Sequence, residues 1–235
     1  MSGNMESYND CGYLEIIKGP MFSGKTTRLL DIYKKFKFCE INTMVINYAK
    51  DNRYSDQLLS SHDKVMIPCI KALKLKDIVP LSTLSNTEHA ASASASASAS
   101  ASASASASAS ASASASASYL IAFNESKAIL INEGQFFSDI VEWVTLAVEK
   151  HHKHVYVCGL NSDFMRKKFG NWLDLESISD NVVLLHSFCS NCKKRPALFS
   201  HRISNESELE VIGSDCYIPV CRKCYHILNV NNKRI

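Results

Sequence analysis

Gly19-Pro20-Met21-Phe22-Ser23-Gly24-Lys25-Thr26 governs how the rest of the chain is read. It fits the pattern G-x-x-x-x-G-K-[ST], and each fixed position has a chemical reason. The glycines let backbone N–H groups curl around a phosphate with no Cβ in the way. The lysine neutralises β/γ-phosphate charge, and the hydroxyl after it is placed to ligate Mg²⁺. The flanks agree with the loop. Tyr13–Ile17 is a short apolar run with β-branched members, which predicts a strand, and Lys18–Lys25 is the loop. From Thr26 to Phe38 the apolar residues Leu29, Leu30, Tyr33 and Phe36 return at three- and four-residue spacing, which predicts a helix. A helix opening there adds the positive end of its dipole to the phosphate site.

Thr43–Asn47 reads as a second strand, followed by the polar turn Ala49–Ser55. Strand, helix and strand with short joins predict a parallel sheet with crossover helices. Val65–Ile70 is compatible with a strand, and Leu81–Leu84 is ambiguous. Ala128–Ile131 is wholly apolar, as in strands buried on both faces. Phe137–His151 has helical periodicity through Ile140, Val141, Val144 and Val148. His154–Cys158 and Val182–Leu185 complete the strands, and residues 160–181 read as irregular. The predicted class is α/β: a P-loop NTPase-like parallel sheet with helices on both faces, plus a small C-terminal zinc-ribbon-like domain.

The expected organisation is a loose tail over 1–12, a P-loop domain over 13–188 and a metal-binding unit over 189–235. Residues 90–118 form an insertion whose core, Ala91–Ser118, is an unbroken Ala-Ser repeat. Its alternation permits an extended edge strand and its alanine content permits a helix. Small and polar side chains alone cannot build a core, so the preferred reading is a solvated, poorly ordered segment.

Composition narrows the function. The chain has 235 residues, 21% of them charged, and a formal net charge of +3. That charge is too small to argue for nucleic-acid binding. No apolar run reaches bilayer length, and MSGNMESYND lacks a signal peptide's hydrophobic stretch, so membrane and secreted readings fall away. Nine cysteines without a secretory segment favour a reducing, cytoplasmic setting.

Five of those cysteines lie between Cys189 and Cys224. Cys189-x-x-Cys192 and Cys221-x-x-Cys224 are paired knuckles, and four thiolates so spaced suit tetrahedral Zn²⁺ with no position left for a catalytic water. Free buried cysteines or a redox pair would each explain one knuckle, but not two. Cys216 is the spare and reads as a small buried hydrophobe. His186 and His226 flank the knuckles as alternative donors.

A P-loop enzyme needs a metal-side acidic group at the end of a neighbouring strand. After Ala128–Ile131 come Asn132-Glu133-Gly134-Gln135-Phe136-Phe137. Asn132 occupies the metal-side position without a charge. Glu133 stands beside it as the candidate general base.

Taken in order, GPMFSGKT (19–26), YAKDNRY (48–54), NEGQFF (132–137), FMRKKFG (164–170), LEVIG (209–213) and the double CxxC resemble the cytosolic/viral-type (type II) thymidine kinase family. The resemblance implies ATP-dependent phosphorylation of the thymidine 5′-hydroxyl, a nucleotide-salvage step feeding DNA synthesis. It implies Mg²⁺ with ATP, a structural Zn²⁺, a homotetramer and feedback inhibition by thymidine triphosphate. By motif position Gly19, Pro20, Met21, Phe22, Ser23, Gly24, Lys25 and Thr26 would hold the ATP phosphates, with Asp51, Asn52, Arg53, Asn132 and Gln135 beside them. Glu133 would deprotonate the 5′-hydroxyl. Phe136 and Phe169 would line the base pocket, and Phe164, Leu209, Glu210, Val211, Ile212, Gly213 and Tyr217 would contact the nucleoside. The family pattern has Asp where this chain has Asn132, which should weaken Mg²⁺ binding without abolishing activity. The competing function is a P-loop ATPase with a zinc-ribbon nucleic-acid module. The C-terminal unit mixes its Lys and Arg with Glu206, Glu208, Glu210 and Asp215, which argues against it.

Overall fold

The computed structural model describes residues 11–51, 58–60, 65–86, 107–203 and 216–231. In chain order, β1 (Tyr13–Gly19), α1 (Lys25–Phe38) and β2 (Thr43–Tyr48) are followed by the short strands β3 (Leu58–Ser60), β4 (Met66–Pro68) and β5 (Ile70–Ala72). Then come α2 (Leu81–Ser85), α3 (Ala107–Glu125), β6 (Ala128–Ile131), α4 (Ile140–Glu149), β7 (His154–Leu160) and β8 (Asn181–Leu184). The C-terminal part holds β9 (Ser187–Phe188), β10 (Pro196–Ala197), β11 (Phe199–Arg202), β12 (Tyr217–Val220) and α5 (Arg222–Asn231).

Six strands form one sheet in the order β5-β2-β6-β7-β1-β8, and every pairing in it is parallel. Because side chains alternate along a strand, the four central strands β1, β2, β6 and β7 each feed two cores. Leu14, Ile16, Ile129, Ile131, Val155 and Val157 meet Ile140, Trp143, Val144 and Ala147 of α4. On the opposite face Ile17, Val45, Leu130 and Cys158 meet Leu29 and Leu30 of α1. Helices therefore cover both faces, as the uninterrupted apolar strands required. Glu15 points to the α1 side, and its buried carboxylate is held by Arg28 at 2.9 Å, the Tyr13 hydroxyl and the Asn181 amide.

Several boundaries differ from the sequence reading for local reasons. Val65–Ile70 splits into β4, antiparallel to β3, and β5, parallel to β2, with the break at Cys69. Leu81–Leu84 belongs to helix α2, opening after Pro80, whose fixed φ suits a helix entry. The helix expected from Phe137 starts at Ile140, since Gly134–Phe136 forms a 3₁₀ turn. The irregular stretch 160–181 contains a 3₁₀ segment, Trp172–Ile178, packed on the sheet through Trp172.

The main correction concerns the Ala-Ser repeat. Its residues 107–118 are the first part of helix α3 rather than a poorly ordered loop. Alanine is the best helix former, and a helix nucleated elsewhere propagates through it. The anchor is the following Tyr119–Phe123 segment. Phe123 is fully buried edge-on against Trp143, and Tyr119, Leu120 and Ala122 pack on the same core. Lys153 closes the helix, its ammonium donating to the carbonyls of Phe123, Asn124 and Ser126. Burial, and then the neighbouring charge of Lys127, lower that ammonium to about 8.

This division of labour predicts opposite responses to two changes. Phe123→Ala removes the anchor and should cost about 3–5 kcal/mol of stability. Removing residues 91–106 leaves the anchor in place and should shift Tm by no more than about a degree or two. Thermal melts followed by circular dichroism compare the two.

Candidate active site

Parallel pairing brings the C-terminal ends of β1, β2, β6 and β7 to one edge of the sheet. The candidate site is built on those ends. The loop 19–24 leaves β1, and α1 follows it at Lys25. Gly24 has φ +83°, a left-handed conformation that glycine adopts without strain. Gly19 is required for space, since a Cβ there would lie 2.5 Å from the Leu185 carbonyl oxygen and 2.6 Å from Ser23 Oγ. Ser23 Oγ is buried and has no hydrogen-bond partner among the described residues. An unsatisfied buried hydroxyl inside a glycine loop is what a phosphate oxygen would satisfy. Lys25 Nζ arches back to donate to the Pro20 carbonyl at 2.7 Å.

Thr26 and Asn132 come together as their positions implied. The Thr26 hydroxyl donates to Asn132 Oδ1 at 3.4 Å, and the Cys158 thiol donates to the same oxygen at 3.0 Å. Behind them the Asn132 amide donates to Asn47 Oδ1 at 2.9 Å, and the Asn47 amide donates to Asp51 Oδ2 at 3.4 Å. Asn47, Asn132 and Asp51 are all buried. Thr26 and Asn132 are neutral oxygen donors of the kind Mg²⁺ accepts, with a carboxylate near them.

Glu133 has φ +57°, a left-handed conformation that costs a non-glycine residue about 1–3 kcal/mol. Its carboxylate accepts from Gln135 Nε2 at 2.6 Å, and Gln135 Oε1 accepts from the Leu160 N–H at 3.0 Å. Gln135 thus ties the candidate base to β7. Two glycines make room for it. A Cβ on Gly159 would meet Gln135 Oε1 at 2.6 Å, and one on Gly170 would meet the Gln135 carbonyl oxygen at 2.5 Å.

Phe136 and Phe169 are in edge-to-face contact with centroids 5.3 Å apart. Tyr48 stacks on Phe136 at 4.8 Å and completes this aromatic wall. Phe164 and Tyr217 are joined through Arg202. Its guanidinium lies 3.9 Å from the Phe164 ring and 5.1 Å from the Tyr217 ring, and it donates to the Tyr217 hydroxyl. Asn52, Arg53 and Leu209–Gly213 lie outside the described residues.

The four knuckle cysteines converge, with all their Sγ atoms within 4.8 Å of one another and Cys192 Sγ 3.9 Å from Cys221 Sγ. Tetrahedral Zn²⁺ with bonds of about 2.3 Å places sulfurs about 3.8 Å apart, so the donor set fits. Burial alone would raise the Cys189 thiol, but N–H donors of Cys192, Cys221 and Asn191 outweigh it and bring the group down to about 6. Val220 and Tyr225 pack around the sulfurs. Among the described residues, hydrogen bonds tie this C-terminal part back to the sheet domain. Met21 N–H donates to Ser200 Oγ, Asn161 Nδ2 to the Leu198 carbonyl, and the Tyr225 hydroxyl to the Phe164 carbonyl.

Sequence reasoning did not single out Tyr48, Asn47, Cys158, Ser200 or Arg202. Tyr48 lies inside a quoted motif and was within reach. The others are ordinary core or loop residues until the strands are aligned.

The parallel six-stranded sheet with helices on both faces defines an α/β protein with a four-cysteine cluster in its C-terminal part. Comparison with known proteins narrows the class. The thymidine kinase family model matches residues 12–93 and 85–225. The chain is 34% identical over 215 residues to the thymidine kinase of variola virus, covering 91% of this chain and 97% of the viral protein. It matches the vaccinia virus (strain Western Reserve) thymidine kinase to the same extent. Against the cytosolic thymidine kinase of Bos taurus it is 34% identical over 215 residues, covering 91% of this chain and 72% of the bovine protein. The chain belongs to the thymidine kinase family.

Two outcomes are expected. Gln135→Leu removes a hydrogen bond to a charged group, worth about 1.5–3 kcal/mol, so kcat should fall roughly 10- to 100-fold with the KM for ATP nearly unchanged. Elemental analysis of protein prepared without chelators should find one zinc per chain, and Cys192→Ser should lose it.

Proposed function

We propose that the protein is an ATP-dependent thymidine kinase, transferring the γ-phosphoryl group of ATP to the 5′-hydroxyl of thymidine to give thymidine monophosphate. Family membership, together with relatives named thymidine kinase, supports this activity. The observation that carries it to a site is the placement of Glu133. The carboxylate accepts from Gln135, directly follows the Asn132 that accepts from Thr26 of the glycine loop, and lies three residues before Phe136, which packs against Tyr48 and Phe169. The P-loop ATPase with a nucleic-acid module is not favoured.

In this reading the N–H groups of residues 19–24, Ser23 Oγ and Lys25 bind and orient the ATP phosphates. Thr26 and Asn132 would hold Mg²⁺, which supplies charge neutralisation at the β- and γ-phosphates. The aromatic wall takes the thymine ring by stacking, and Phe164, Tyr217 and residues 209–213 close over the nucleoside. Glu133 then accepts the 5′-hydroxyl proton as that oxygen bonds to the γ-phosphorus. The γ-phosphorus–oxygen bond to the β-phosphate breaks and ADP leaves with the electron pair. Asp51, Asn52 and Arg53 are assigned to the phosphate side.

The four cysteines are assigned to one structural Zn²⁺, and residues 189–235 to a unit distinct from 13–188. A homotetramer is part of the proposal, and the exposed Val182 and Leu184 on the edge strand β8 give it an apolar surface to use. No helix among the described residues is long and apolar enough to cross a membrane. A cytoplasmic location is proposed on the cytosolic bovine relative.

Kinetics of two variants test the roles. Lys25→Ala should abolish phosphoryl transfer while the fold persists. Glu133→Gln should lower kcat by about 10²–10⁴ with ATP binding retained. Near wild-type turnover in either variant would reject the assignment.

A further inference from the structure

The buried chain Asp51–Asn47–Asn132–Thr26 has a direction. A carboxylate can only accept, so the end of Asn47 that faces Asp51 is its NH₂ group. The carbonyl of Asn47 is thereby turned to Asn132, and only the NH₂ of Asn132 can donate to it. The oxygen of Asn132 is left facing Thr26 and Cys158, both of which donate to it. With its proton committed to Asn132, the Thr26 hydroxyl keeps its lone pairs for a cation.

We propose that Asn47 is a positioning residue that, anchored by Asp51, holds the Asn132 amide with its oxygen rather than its nitrogen toward the phosphate loop. The proposal rests on the reading of Thr26 and Asn132 as the Mg²⁺ side of the ATP site. A carboxylate at 132 would present an oxygen whichever way it turned. A carboxamide presents an oxygen only if something fixes it, because its other end is a cation-repelling donor. Asparagine at 132 therefore works through its partner at 47. Strand alignment puts them together, since Asn47 lies in β2 and Asn132 directly follows β6, with the Asn132 N–H donating to the Ile46 carbonyl at 2.9 Å.

The same geometry qualifies the simple expectation that Asn132→Asp tightens Mg²⁺ binding. The carboxylate introduced by that substitution would meet the Asn47 carbonyl, oxygen against oxygen. Turning Asn47 to relieve that contact would set its carbonyl against Asp51.

A double-mutant cycle on the full chain separates orientation from bulk or charge. Asn47→Leu is made both in the unmodified protein and together with Asn132→Asp, with Asn47→Ala in parallel in case leucine impairs folding. ATP affinity is measured by calorimetry in EDTA and across a Mg²⁺ titration, and thymidine KM is measured separately. With Asn132 unchanged, loss of Asn47 should raise the Mg²⁺ needed for half-maximal ATP affinity by about 10-fold, at the low end for partners that orient a metal ligand. ATP affinity in EDTA and thymidine KM should change less than about twofold. When Asn132→Asp is already present, the same substitution should raise the Mg²⁺ requirement less than about twofold. Equal effects in both backgrounds, or none with Asn132 unchanged, would overturn the proposal while the site reading stands. ATP binding by the unmodified protein that ignores Mg²⁺ would overturn both.

Discussion

Parallel strands cannot be joined by tight turns, so every connection in this sheet returns over a face and all strands end on the same edge. The candidate site depends on that constraint. Gly19, Tyr48, Asn132 and Leu160 are far apart in sequence, yet each ends or directly follows a strand of one sheet. The two cores hold the strands in place, which is what allows the glycine loop, the Glu133 carboxylate and an aromatic wall to be held at fixed positions.

Apart from Ser23 Oγ, the buried polar groups around Glu133 and Asn132 on that edge are satisfied by one another in ordered chains. Gln135 links Glu133 to the backbone of β7, and the opposed run through Asn47 and Asn132 ends at Thr26. The amides of Asn47, Asn132 and Gln135 each use both ends, which offsets the cost of burying them. The left-handed backbone at Glu133 lies beside a tightly packed Gln135. Gly134, Gly159 and Gly170 each lie where a Cβ would collide with a neighbour.

Much of this was readable in the sequence. The loop 19–26, the buried strand 128–131 and the double knuckle carry short-range patterns whose chemistry is independent of the rest of the fold. What escaped reading depends on register between distant strands. Asn47 is one polar residue at the end of an apolar strand, and nothing local marks it as the partner of Asn132. Arg202 has no periodic signal, and only the fold inserts it between Phe164 and Tyr217. Residues 107–118 of the Ala-Ser repeat were misjudged because their composition was weighed without Phe123, which fixes the helix they belong to, and 91–106 lie outside the described residues. Alanine-rich sequence takes the conformation that its neighbours nucleate.

The destination of the γ-phosphoryl group of ATP separates a thymidine kinase from an ATPase. Purified protein, Mg²⁺, thymidine and ATP labelled in the γ-phosphate form the assay, with products separated and counted. The label should appear on the 5′-oxygen of thymidine in equal amount to the ADP formed, and ADP formation should require thymidine. Label released as inorganic phosphate at a rate indifferent to thymidine would contradict the account and return the protein to the ATPases.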